Sequence, residues 1–219
     1  MCIRDSSRAA AEQPGGGAPT PEPTIADLLG QLRDRKAHPQ DRVQAVGKLA
    51  ALRSAGEVRD QRVVDVLLET AKAKDDDIFV RLEALKALAD LQYNLFATDG
   101  WAKNRYIMPL ITILKDSQEE ELVRAQVAKV FERTLDPSGL QDRQAVMAML
   151  ELAEDRTTPL LLRVAVIEAC GTIGGDDRSL KTFIALINQG DLDPLVKEAT
   201  LKLSLIHISE PETVLDLVC

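Results

Sequence analysis

Apolar side chains recur at i, i+3, i+4 and i+7 in three separate stretches: Ile25, Leu28, Leu29, Leu32; Ile107, Leu110, Ile111, Leu114; and Leu180, Phe183, Ile184, Ile187. That spacing draws one apolar stripe along a helix of 3.6 residues per turn. Similar stretches run from Val64 to Ala71 and from Val146 to Ala153. Each is followed, after a short polar turn, by a second helical segment, so the predicted unit is a pair of helices. Ahead of the first stripe, residues 13–24 (QPGGGAPTPEPT) hold Gly and Pro with almost no apolar side chains. Such a segment cannot bury a core, and residues 1–24 are expected to be a disordered lead-in ending in a flexible to semi-rigid tether.

The second helices lie over one another in a single register, in which a basic residue is followed three, six and seven positions later by apolar or small ones. It reads Arg42, Ala45, Leu49; Arg81, Ala84, Ala87, Leu88; Arg124, Val127, Val130, Phe131; Arg163, Val166, Ala169, Cys170; and more weakly Lys197, Thr200, Leu203. The basic residues stand 39, 43, 39 and 34 positions apart (42 to 81, 124, 163 and 197). A period near 40 with two helices per unit is that of HEAT and armadillo arrays. The residues Val80-Arg81-x-x-Ala84-x-x-Ala87-Leu88, preceded by Asp77, resemble the HEAT signature of the second helix, and Leu162-Arg163 and Val123-Arg124 repeat its centre. Pro109 fits the same resemblance, since first helices of HEAT repeats often bend at a proline, its alternative being a helix start. The resemblance covers residues 25–203 and implies an all-α, right-handed α-solenoid of about five stacked antiparallel helix pairs. Gly47, Lys197 and Thr200 depart from the register and make the first and last pairs the weaker ones.

The two ends look foreign. Residues 1–6 (MCIRDS) and 204–211 (SLIHISEP) resemble translated sequencing-adapter sequence of the kind that flanks reading frames in metagenomic assemblies. On that expectation residues 204–219 are an artefactual tail, the alternative being that Leu201 to Ile208 continue a real helix. Setting the ends aside removes Cys2, Cys219, His207 and the acids Glu210, Glu212 and Asp216, which takes the net charge from -8 to -5.

Composition narrows the function. The chain has 35 acidic against 27 basic residues, so a phosphate backbone is repelled on average and nucleic acid is not expected as a partner. No apolar run approaches the roughly 20 residues of a membrane span. One core cysteine fits a reducing cytoplasm slightly better than an exported setting.

Candidate chemistry is sparse. Asp75-Asp76-Asp77 and Glu119-Glu120-Glu121 invite a metal reading, but neither has the ligand spacing of a calcium loop, and both immediately precede a second helix, where acids cap free N–H groups. Capping is expected. Once the ends are set aside, only His38 and Cys170 remain for a nucleophile with its base, and they fall in different repeats, one in a turn and one in a core column. Structural zinc lacks its four ligands. No catalytic residue, cofactor or metal is expected.

What remains is surface. The basic column Arg42, Arg81, Arg124, Arg163 and Lys197 reads as a structural ladder, because in HEAT arrays the matching arginine pairs with an aspartate or carbonyl of a neighbouring repeat; a binding stripe is its alternative. The stretch from Tyr93 to Tyr106 lengthens one repeat and holds four of the seven aromatics. Tyr93, Phe96, Trp101 and Tyr106 are therefore candidate partner contacts, with inward packing of Phe96 and Trp101 as the alternative. Gln126, Lys129 and Arg133, on the second helix that follows, are further candidates. The chain is thus expected to be a non-catalytic, monomeric scaffold that binds another protein. The alternatives are an enzyme or enzyme subunit of the HEAT-like bilin lyase kind, a DNA glycosylase, or the interaction arm of a larger protein.

Overall fold

The structure, a computed structural model, describes residues 23–54, 61–90, 103–134, 143–173, 177–188 and 192–208. These form ten α-helices in five pairs: α1 (Ile25–Arg33) with α2 (Pro39–Ser54), α3 (Gln61–Lys72) with α4 (Ile78–Asp90), α5 (Met108–Lys115) with α6 (Glu121–Thr134), α7 (Arg143–Glu154) with α8 (Leu160–Ile173), and α9 (Asp177–Ile187) with α10 (Pro194–Ile208). The chain is an all-helical solenoid. Residues 1–22, the aromatics Tyr93, Phe96 and Trp101, and residues 209–219 lie outside the described residues. The backbone of α10 runs to Ile208, five residues into the adapter-like segment. Among the described residues no helix is long and apolar enough to cross a membrane.

Local signals set the helix starts. Thr24 and Asp27 form a reciprocal capping box on α1, with Asp27 N–H donating to Thr24 Oγ1 at 3.2 Å and Thr24 N–H to the Asp27 carboxylate at 3.0 Å. The His38 imidazole Nδ1 accepts from Gln40 N–H at 3.2 Å at the start of α2. Asp77 Oδ1 accepts from Phe79 and Val80 N–H at the start of α4, and Asp193 Oδ1 from Leu195 N–H at the start of α10. Pro109 is the second residue of α5, directly after a π-helical turn, Lys103–Ile107, so the helical run widens just ahead of the residue that has no N–H to donate.

The register residues face one continuous core. Ala45, Ala84, Val127, Val166 and Thr200 form one buried column, and Leu49, Leu88, Phe131 and Cys170 another. Thr200 occupies its apolar position by donating its hydroxyl to the Val196 carbonyl at 2.7 Å, which leaves no unmet polar atom at that position. Gly47 is exposed on α2, and a Cβ there would meet nothing within 4 Å. Second helices pack on one another far more extensively than first helices do, which makes the second-helix layer the inner side of the stack.

The turns within the first four helix pairs repeat one hydrogen-bond pattern. The N–H groups of Ala37, Asp76, Glu119 and Thr158 donate to the carbonyls of Asp34, Ala73, Asp116 and Asp155 at 2.9–3.1 Å. Five residues after each, a buried arginine donates Nε–H to a carbonyl in the last turn of the preceding helix: Arg42 to Leu32 at 3.0 Å, Arg81 to Ala71 at 3.1 Å, Arg124 to Leu114 at 2.9 Å and Arg163 to Ala153 at 2.8 Å. The guanidinium thus satisfies an orphan carbonyl at the negative end of a helix. Arg42 and Arg81 also reach into the next repeat. Arg42 pairs bidentately with Asp76, and Arg81 with Glu119 at 3.0 and 2.6 Å, with both partners of each pair almost fully buried. At the third junction the register position of the acid is Thr158, and among the described residues Arg124 has no carboxylate bonded to it. Lys197 differs from the sequence expectation: it is exposed and makes no rung among the described residues, since an ammonium lacks the guanidinium fork.

Candidate functional site

The second-helix face carries a column of large apolar side chains in solvent. Phe79, Leu122, Leu161 and Leu195, each two residues before its ladder position, are 70%, 52%, 46% and 55% exposed. Unlike the residue after them, which faces the core, they stand on the first turn of α4, α6, α8 and α10, on the outward side of the layer. Between α4, α6 and α8 this surface deepens into an open groove of about 270 Å³ with a floor of Leu82, Leu122, Ala125, Leu161, Val164 and Ala165. Glu83, Lys86, Gln126, Lys129 and Glu168 complete its lining. Lys86 Nζ lies 3.2 Å from Glu83 on its own helix.

The charged lining of the groove is mixed in sign, with Glu83 and Lys86 on α4, Lys129 on α6 and Glu168 on α8. Lys129 is exposed and has no side-chain partner among the described residues. The α6–α8 junction is held partly by Glu121, whose Oε1 accepts from Leu161 and Leu162 N–H at 3.0 and 3.3 Å, so a carboxylate of one repeat caps the helix of the next.

The sequence-derived candidates fall in different places. Gln126 and Lys129 line the groove. Arg133 lies beyond it, ion-paired with Asp90 of α4 across the helix ends. Tyr93, Phe96 and Trp101 are outside the described residues. Tyr106 is corrected: it is 2% exposed, so it packs inside and does not meet a partner. Its hydroxyl donates to Asp65 Oδ1 at 3.4 Å, Arg105 grips the same carboxylate through Nε at 2.9 Å, and burial raises the phenol above its usual pKa. The apolar floor escapes the sequence reading. Its signal was present in the register, because the position two before the ladder residue reads Gln40, Phe79, Leu122, Leu161, Leu195, but apolar residues flanking a core helix look like core.

The acidic runs divide their work. Asp77 caps its helix, while Asp76 and Glu119 hold ladder arginines and Asp75 meets Arg35 in solvent at 2.6 Å. The Arg42 guanidinium holds the Asp76 carboxyl below its ordinary value. For Glu119 burial acts upward most strongly of any single cause, and the hydrogen bonds from Arg81 and from Glu120 N–H, with the charges of Arg81 and Lys74, together bring it below its ordinary value. Arg124, buried with no carboxylate bonded to it, is pushed down by desolvation. Among the described residues no group of three His, Cys, Asp or Glu side chains is placed to hold a metal ion. Cys170 is buried in α8 and belongs to no disulfide among the described residues, and His38 lies in the first pair.

No family model and no curated protein matches the chain. Sixteen chains of solved structures do. One is human deoxyhypusine hydroxylase, crystallised with glycerol, at a TM-score of 0.50 and 18% identity over 85% of this chain and 74% of that one. The likeness establishes the helical-repeat fold. It also overturns the expectation that this chain is no enzyme, because an array of the same architecture is one.

Proposed function

We propose that this chain is a HEAT-type repeat array that binds another protein through the groove across α4, α6 and α8. The exposed leucines Leu122 and Leu161 carry the reading, since both are held about half exposed in the groove's lining, and Phe79 and Leu195 stand exposed at the same register position of α4 and α10. Burying a half-exposed leucine is worth about 1 kcal/mol, so the column offers several kcal/mol to a partner that covers it. The test is selection of a displayed peptide library on the wild-type array, with the Leu122→Glu/Leu161→Glu variant as counter-bait. Both side chains are largely exposed, so the variant should keep its helical CD and melting temperature. Binders that need the unsubstituted groove support the reading; a selection that yields only binders indifferent to the double substitution refutes it.

A second reading is favoured by the likeness to deoxyhypusine hydroxylase: the chain is an enzyme or an enzyme subunit, and the groove seats a protein substrate. Incubation with a deoxyhypusine-bearing protein, read by mass spectrometry for oxygen incorporation, tests it. An unchanged substrate mass would remove that reaction.

A further inference from the structure

We infer that the third junction, where the turn before α8 meets the first turn of α6, binds a small monovalent anion, chloride in ordinary solution, through the Arg124 guanidinium and the Thr158 hydroxyl. The site is separate from the groove and independent of the protein-binding reading.

The first two junctions show what the position holds. Asp76 accepts from the Arg42 fork and, at 2.8 Å, from Asp77 N–H; Glu119 accepts from the Arg81 fork and, at 2.9 Å, from Glu120 N–H. Each negative group is thus met by a guanidinium and one further donor. At the third junction the donors persist while the carboxylate is replaced by Thr158. Arg124 donates Nε–H to Leu114 O as Arg42 and Arg81 do to Leu32 and Ala71, so its fork starts from an equivalent anchor. The next residue is Pro159, which has no N–H, and the remaining donor at that register position is the Thr158 hydroxyl. Arg124 and Thr158 are both more than nine-tenths buried. Among the described residues the Thr158 hydroxyl has no hydrogen-bond partner, and its side chain is shorter than that of Asp or Glu, ending before the point a carboxylate reaches.

The neighbouring acids are committed elsewhere. Asp116, Glu119 and Glu121 act on Arg124 through their charge. Asp116 is bonded to Lys74 and Gln118 N–H, Glu119 to Arg81, and Glu121 accepts from two N–H groups of α8. Burial outweighs the three charges, so the Arg124 pKa lies below its ordinary value. A guanidinium stays charged all the same, and a buried charge is costly until a counter-ion meets it. A water molecule in this position would satisfy the hydroxyl and leave the charge unmet. One charge calls for a monovalent ion, and the carboxylates of the first two junctions set its size at about that of a carboxyl group.

The experiment melts the full chain at pH 7 and constant ionic strength while sodium gluconate, whose anion is bulky, is exchanged stepwise for sodium chloride. The expected result is a saturable rise in Tm, about 3–6 °C once chloride reaches ten times its half-saturating concentration. Thr158→Val keeps the shape of the side chain without the donor and should need at least tenfold more chloride. Thr158→Glu supplies its own carboxylate and should show no chloride response. Chloride NMR gives a readout that does not depend on melting: the wild-type chain should broaden the chloride line, bromide should reverse the broadening, and Thr158→Glu should leave the line sharp. Equal melting of the wild type in gluconate and chloride, a chloride line that the wild type leaves sharp, or a response that Thr158→Glu retains overturns the inference, the first two pointing to water at the junction and the third to a general salt effect.

Discussion

The third junction of the array lacks a rung that the same backbone supports at the first two, and Thr158→Glu should build it. Thr158 has the turn geometry of Asp76 and Glu119, its N–H reaching Asp155 O at 3.1 Å as theirs reach Ala73 and Asp116, so a side chain there leaves the backbone from an equivalent place. Thr158 is 8% exposed and its hydroxyl has no hydrogen-bond partner among the described residues, while the Arg124 it would meet is 6% exposed and already desolvated. Two charge-assisted bonds contribute about 1.5–3 kcal/mol each, and loss of an orphan hydroxyl adds about 1 kcal/mol. Desolvating one carboxylate costs several kcal/mol. The net is a gain of about 1–2 kcal/mol, a rise in Tm of about 2–8 °C for an array of this size. Differential scanning calorimetry at pH 7 reads it, with Thr158→Gln and Thr158→Glu/Arg124→Met as controls that should show no gain. The gain should be lost as pH falls below the ordinary glutamate value near 4 and through the lower folded value that pairing with Arg124 gives the new carboxyl. No rise in Tm, or an equal rise for Thr158→Gln, would show that the rung pattern does not transfer between repeats.

Gly47→Ala should raise stability by about 0.5–1 kcal/mol, seen as a higher urea midpoint at unchanged slope, because the added methyl meets nothing and helix entropy is saved. Val127→Asp should unfold the array as read by far-UV CD, since Val127 is fully buried and a lone carboxylate there has no partner. Asp76 and Glu119 have folded pKa values below their ordinary ones, so their contribution is present above the unfolded values near pH 4 and is lost as pH falls through the folded ones. Urea midpoints should therefore drop steeply from about pH 5 to pH 2, and the Asp76→Asn/Glu119→Gln variant should be less stable at pH 7 yet lose less over that range.

The architecture is written in local signals. The 3.6-residue stripes are legible within single helices and the basic-residue register near 40 residues from one pair to the next, and stacking such pairs buries their apolar faces against one another. The columns through Ala84, Val127 and Val166 can be read along the chain because core positions must be apolar in every repeat. The relations between repeats are decided by tertiary structure alone. That Arg42 and Arg81 reach acids of the next pair while Arg124 bonds none among the described residues, and that Glu121 caps α8, depend on contacts some 40 residues apart that no local pattern encodes. Tyr106 reads in sequence as a partner contact since aromatics in a long insertion look alike whether they pack or protrude, and only the seat against Asp65 separates the two. The groove floor is hidden for the opposite reason: Leu122 and Leu161 have the composition of core residues, and their exposure follows from the side of the second-helix layer on which they stand.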